Sequence, residues 1–404
     1  MEYFLNFEVV QKTATQLIPA NHIVAVEQFK LPITVPKQAF TDKSQKPELK
    51  ITSSGKSIVV KSPTVNFVFD KKSGTVTSYK VTGQEYFDKG FGIQPNFWRA
   101  PNDNDFGNGN PHRLQVWKQS SRHFNVTDVK GYAQGNNAVV ETTYLLAAGN
   151  LYTIKYTVHP SGVVKVDVEF HSTDMQAAQL EASEATLMAT ASPEATAARK
   201  ASSELVVPRI GVRFRLPASM NAVEYFGRGP GENYIDRASG SKVGLYKTTA
   251  DEMYFPYVRP QENGHRTDTR WVALKGAGNG LMVVADETIG FNSLKNSVED
   301  FDSEEATRRP YQWNNFSSEE IAGRDDADAK NKRPRHTHIN DITPRNFVEV
   351  CVDMKQQGVA GYNSWGARPL PEYSIPANQN YKWGFTLVPF SNAGDIQIKS
   401  VLKY

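Results

Sequence analysis

The sequence predicts an all-β fold built from antiparallel strands. Three observations lead there: apolar residues recur at every second position along most of the chain, Gly, Pro and Asn turns separate these runs, and the alternation of strands with long helical segments that a parallel sheet needs is missing. One face of each run is polar, the pattern of a sheet packed on one side.

Taken in order, Phe4–Val10 and residues 23–31 read as two strands, followed by PITVPKQAFTDKSQKPELK, a Pro- and Lys-rich stretch with linker character. Two strands cannot bury a sheet by themselves, so this opening piece reads as the tail of a domain. Val65, Phe67 and Phe69 then alternate, and DKKSG turns the chain toward Val76 and Tyr79. Tyr152, Ile154, Tyr156 and Val158 alternate up to His159-Pro160-Ser161-Gly162, and Val164, Val166, Val168 and Phe170 alternate back. Ile210, Val212, Phe214 and Leu216 repeat the pattern, as do Val348, Val350, Val352 and Met354. Residues 175–205 depart from it. Rich in Ala, Glu, Ser and Thr and interrupted by Pro193, they read as a surface insertion with one or two short helices, or as a mobile loop.

At 404 residues the chain suits two or three domains, or one large β sandwich with an appendage. A net charge of +3 and the lack of a basic stripe argue against nucleic acid as a partner. The dense run DDADAKNKRPR (325–335) reads as a solvated loop. Cys351 is the sole cysteine, so it forms no intrachain disulfide; within VEVCVDM it reads as a small core residue. No apolar stretch approaches the roughly 18–20 residues of a membrane helix. The N-terminus lacks the basic head and apolar middle of a signal peptide. A soluble protein of the bacterial cytoplasm or periplasm fits these features, and one cysteine does not separate the two. Oligomeric state is not encoded in any of them.

Four clusters hold residue types that carry chemistry. FWRAPNDNDFG (97–107) places Asp103 and Asp105 between asparagines; without the glycine and bidentate glutamate of a calcium loop, an Asx-turn network is the expectation. In YFGRGPGENYIDR (225–237) the glycines lack the GK[ST] and helix of a phosphate loop and instead allow close backbone approach. PYVRPQENGHRTDTRW (256–271) sets Glu262 and His265 among Arg266, Asp268 and Arg270. A Glu and a His can act as acid and base on a sugar, and the competing reading is a salt-bridge framework. GVAGYNSWGARPLPEY (358–373) holds Trp365 in a loop without strand or helix period, after Asn363 and Ser364. Its indole is either a platform for the apolar face of a pyranose or a core side chain.

Together and in this order, PNFWRAPNDNDFG, PRIGVRF, YFGRGPGENYIDR, YVRPQENGHRTDTRW and GYNSWG resemble the large C-terminal domain of family 2 beta-galactosidases. EYFLNFEVVQ and AVEQFKLP are similar to the last two strands of the immunoglobulin-like domain that precedes it there. The resemblance implies a tail of an immunoglobulin-like β sandwich at 1–34, a linker at 35–54, and a galactose mutarotase-like antiparallel β supersandwich of about eighteen strands at 55–404. The 175–205 insertion departs from the usual family pattern. The family carries both catalytic glutamates, and its magnesium and sodium ligands, on an upstream (β/α)₈ barrel. The resemblance therefore implies no catalytic residue and no cofactor in this chain, with the missing barrel and a β-galactoside or related carbohydrate as partners. It assigns Trp365 to the aglycone side of the active site, with Asn363 and Ser364 beside it. Glu262 and His265 fall to the domain's framework, and serve as acid and base only if the protein is a free-standing mutarotase-like enzyme or carbohydrate-binding protein.

Overall fold

The computed structural model describes residues 2–33, 35–36, 38–42, 48–172, 206–302, 336, 338–363, 366–392 and 394–404. The 175–205 insertion and the 325–335 charge run lie outside the described residues.

The chain opens with an antiparallel ribbon, β1 (Phe4–Val10) and β2 (Ile23–Lys30). A short strand β3 (Gln38–Ala39) follows, then an antiparallel sheet of β4 (Lys50–Ser53), β5 (Ser57–Lys61), β6 (Val65–Asp70), β7 (Thr75–Val81) and β8 (Gln84–Glu85) in that order. Alternation becomes burial here: Val65, Phe67 and Phe69 are buried, and the residues between them only partly so. The DKKSG turn closes because Asp70 Oδ1 accepts from the backbone N–H groups of Lys72 and Ser73 at 3.1 and 2.7 Å.

Next come β9 (Gln94–Asn96) and three short helices, α1 (Asp103–Gly107), α2 (Asn110–Arg113) and α3 (Gln115–Arg122). The meander β10 (Phe124–Gln134), β11 (Asn137–Leu146), β12 (Leu151–Val158) and β13 (Val164–His171) follows, then β14 (Arg209–Pro217), β15 (Ala222–Gly229), β16 (Lys242–Thr249), β17 (Arg266–Lys275) and β18 (Gly280–Leu294). The rest is α4 (Val298–Phe301), β19 (Phe347–Gln356), β20 (Tyr381–Phe390), α5 (Asp395–Ser400) and β21 (Leu402–Lys403). Twelve of these strands form one antiparallel sheet. Its main path is β10-β11-β12-β13-β20-β18-β17-β15-β16, and β19, β14 and β9 branch from β18.

The branch follows from the length of β18. Its first half pairs with β20 through Gly280 to Ala285, its second half with β19 through Gly290 to Leu294, and its pairing with β17 jumps between Thr269 and Trp271. A strand that changes partner midway turns one sheet into two arms. The five-stranded sheet covers the meander, where the Phe67 and Tyr156 rings lie 5.6 Å apart, and one apolar core runs through both sheets. The expected antiparallel supersandwich is the architecture seen. Cys351 is buried in it as expected, and burial pushes its thiol pKa well up.

Two expectations need correcting. Residues 35–54 are not all linker: Ile51 of β4 packs on the core and pairs with Val60, and β3 pairs in parallel with β21. Nor does every strand keep a polar face. β14 is buried on both sides at Arg209 to Phe214, and Arg209 and Arg213 are held there by buried carboxylates. The ribbon behaves as expected of two unsupported strands. Phe7, Val9, Val24 and Phe29 are all more than half exposed. It is tied down along one edge, by Gln28 to the backbone of Val243 and by Glu2 to Arg270.

Candidate functional site

The four sequence clusters meet on one rim, around residues 357–363 and 366, which follow β19. Arg99, 2% exposed, reaches it first. Its Nε and Nη2 donate to Asp105 at 3.2 and 3.1 Å, while Nη1 and Nη2 donate to the carbonyls of Gln357 and Gly358 at 2.7 and 3.0 Å. A planar guanidinium serves a carboxylate and two carbonyls at once; an ammonium does not. The PNDND segment is a helix start as well as the expected Asx network. Asn102 caps α1 by accepting from Asp105 N–H at 2.8 Å, and Asp105 accepts from Asn102 N–H at 3.1 Å. The Asn102 amide also donates to the Val359 carbonyl at 3.3 Å.

The second cluster grips the loop from the other side. Asp236 accepts from Val359 N–H at 3.0 Å and Ala360 N–H at 2.7 Å. These bonds hold Ala360 at φ +57°, a left-handed conformation that a β-carbon disfavours. A Cβ at Gly358 would lie 2.3 Å from Asp236 Oδ2, so a larger residue there would push the carboxylate off the two amides it holds. Gly366 has φ +94°, and its Cβ would meet the Gly107 backbone at 2.2 Å, so the far end of the loop sits hard against α1.

The third cluster braces the first two. Glu262 N–H donates to the Ala100 carbonyl at 3.2 Å, and the Arg259 guanidinium lies 3.6 Å above the Phe106 ring. Buried Asn233 accepts from Thr267 N–H and Oγ1 at 2.9 and 2.6 Å. Glu232 accepts from Gly264 N–H at 2.8 Å, from Arg237 at 2.6 Å, and from the Tyr257 hydroxyl.

Beneath the rim lies a network of buried charge. Arg209 Nε stands 3.1 Å from Asp353 Oδ1, its Nη2 is 3.3 Å from Glu262 Oε1, and it also donates to Gln356. His265 stacks on Tyr234 at 5.5 Å, with Nδ1 3.8 Å from Asp353. Burial pushes the Asp353 carboxyl up to about 7 against the attraction of Arg209, and raises Glu262 in the same way. Burial, with the Arg209, Arg266 and Arg99 charges, drives His265 well below its ordinary value, so its imidazole is neutral. Glu262 and His265, the sequence's acid and base pair, are 6% and 1% exposed and held by framework partners. That arrangement favours the salt-bridge reading of the cluster. Among the described residues no group of His, Cys, Asp and Glu could hold a metal ion, and no helix is long and apolar enough to cross a membrane.

Trp365 and Ser364 lie outside the described residues. Asn363 is described and exposed, its Oδ1 accepting from Ala367 N–H at 3.2 Å. Tyr362 beside it is 71% exposed. Sequence reasoning passed over Asp236 and Arg209. Asp236 lies 123 residues from its partner amide, and no local pattern announces such a pairing. Arg209 did carry a signal: an arginine within the apolar run PRIGVRF needs a buried counter-charge.

Fold and rim together define a β-sandwich module that presents one braced loop. The chain belongs to the beta galactosidase small chain family, whose pattern matches residues 61–387. It is 29% identical over 391 residues to a beta-galactosidase of Priestia megaterium, covering 96% of this chain and 32% of that protein. A beta-galactosidase of Kluyveromyces lactis is 29% identical over 297 residues, covering 70% of this chain and 25% of that protein. The chain thus spans about a third or less of the curated relatives it matches. Among solved structures, a galactose 1-epimerase from Lactobacillus acidophilus aligns with 85% of this chain and 99% of its own, at 7% identity and a TM-score of 0.41. That likeness is too distant to bear on function.

Proposed function

We propose that this chain is the C-terminal, non-catalytic part of a family 2 beta-galactosidase, shaping the aglycone side of the active site and supporting a catalytic barrel carried outside it. The observation that carries the reading is the bare ribbon β1–β2. Its exposed Leu5, Phe7, Val9 and Phe29 share one face of the ribbon and form an apolar surface of the kind that marks an interface with further protein. The braced rim supports the rest. A loop fixed by Arg99 and Asp236 on its near side and by Gly366 on its far side is suited to present Trp365 to the sugar beyond the cleaved bond. Retaining hydrolysis needs two carboxyl groups about 5–5.5 Å apart across the anomeric carbon. In this reading both stand on the barrel, as do the family's magnesium and sodium ligands, and this chain binds no cofactor.

The test is hydrolysis of a chromogenic β-galactoside by the purified chain. No turnover above background is expected. Turnover that survives purification and disappears on changing Glu262 or Glu232 would overturn the proposal.

A further inference from the structure

Beside the rim, between β15, β16 and the segment 252–255, lies a groove of about 310 Å³. That is the lower end of the size range of small-molecule sites. Its floor is Tyr225, Met253 and Arg266, all buried, and its walls are Tyr246, Tyr254 and the half-exposed Phe255. Arg266 is the residue that needs explaining. It is 4% exposed, yet it pairs with no carboxylate among the described residues. Its Nε donates to the Tyr225 hydroxyl at 3.1 Å and its Nη1 to the carbonyls of Gly264 and His265 at 3.1 and 3.2 Å, while Nη2 has no acceptor among the described residues. Nη2 is not sealed off from solvent, so it faces the groove as a charged donor open to water or to a ligand.

The opposite wall supplies acceptors. Glu252 uses Oε2 to accept from Thr248 Oγ1 and Thr249 N–H at 3.0 and 3.1 Å, which leaves Oε1 for the groove. We propose that this groove is a second saccharide site, taking a neutral pyranose: Arg266 Nη2 donates to a sugar oxygen, Glu252 Oε1 accepts from a hydroxyl, and the apolar sugar face lies on the aromatic walls. A pyranose offers donors, acceptors and a C–H face together, and the groove offers the complement of each. A free anion is a worse match. Glu252 and Glu232 line the groove against Arg266 and Lys247, so the lining carries no net positive charge to hold a carboxylate or phosphate. The site uses neither Trp365 nor the buried Glu262 and His265.

The experiment is a titration of the full chain with methyl β-galactoside and methyl β-glucoside, followed by ligand-detected NMR and calorimetry. Galacturonate and inorganic phosphate are run in parallel. Because Arg266 is buried, the variants are Glu252→Gln and Phe255→Ala at the exposed wall, with near-UV circular dichroism confirming the fold. Binding of a neutral pyranoside is expected, weakened about tenfold by each wall variant. Three results would overturn the proposal: no pyranoside binding, binding indifferent to both wall variants, or binding of the anions in preference to the neutral sugars.

Discussion

Replacing Arg99 with Met keeps most of the side-chain volume and removes the charge that joins α1 to residues 357–358. The partner left behind is Asp105, 3% exposed, which keeps only Asn102 N–H at 3.1 Å and Asn110 Nδ2 at 2.6 Å as donors. Breaking one side of a buried ion pair costs roughly 3–5 kcal/mol, because the remaining charge stays desolvated. The two lost bonds add to this, because the Gln357 and Gly358 carbonyls are buried and each acceptor left without a donor costs roughly 1–3 kcal/mol. Urea denaturation of the purified chain measures the loss, with an unchanged m-value confirming that the same transition is observed. Adding Asp105→Asn removes the stranded charge, so the double variant is expected to recover at least about 1 kcal/mol relative to additivity. Hydrogen exchange reads the local effect, with protection falling at Val359 and Ala360 more than in β12 or β13. A loss under about 1 kcal/mol, or strict additivity in the double variant, would refute the claim that Arg99 and Asp105 form one buried unit.

Other outcomes follow from the same structure. The folded protein keeps a proton on Asp353 up to about pH 7, whereas the unfolded chain gives it up near the ordinary value of 3.8. This contribution is therefore full at low pH and lost as pH rises through 7; relative to Asp353→Asn, the wild type should lose roughly 2–3 kcal/mol between pH 5 and 8. A flat or rising difference in denaturation free energy would show that Asp353 is ionised throughout. Trp365→Ala, on the platform reading, should change the stability of this chain by well under about 1 kcal/mol, whereas a core indole would cost roughly 3–5. In the complete enzyme the same change should weaken aglycone binding by about 1–3 kcal/mol without abolishing chemistry. Cys351, buried and with its thiol pKa raised, should resist alkylation in the native chain and react only after denaturant is added.

Much of the fold is written locally. In the hairpin around 151–171 every second residue is apolar and the turn carries His-Pro-Ser-Gly, so pairing and facing follow from neighbours alone. Around 65–81 the Asp-Lys-Lys-Ser-Gly turn is equally local, but the register shifts at Phe69 and the two-residue period breaks between Val76 and Tyr79. The four chemical clusters were legible as clusters for a similar reason: Gly, Pro, Asn and charged residues interrupt the two-residue period. What joins them was not. Arg99 meets the Gln357 carbonyl across 258 residues, and Asp236 meets Val359 across 123. Such pairs depend on β18 changing partner between β20 and β19, which brings the ends of distant strands to one rim. Tertiary structure likewise decided that β14 is buried on both faces, and that Glu262 and His265 lie beneath the surface. Strand alternation reports which face of a strand is apolar, a property of adjacent residues. Burial of the polar face depends on what the rest of the chain lays across it, and that follows only once the long-range pairings have closed.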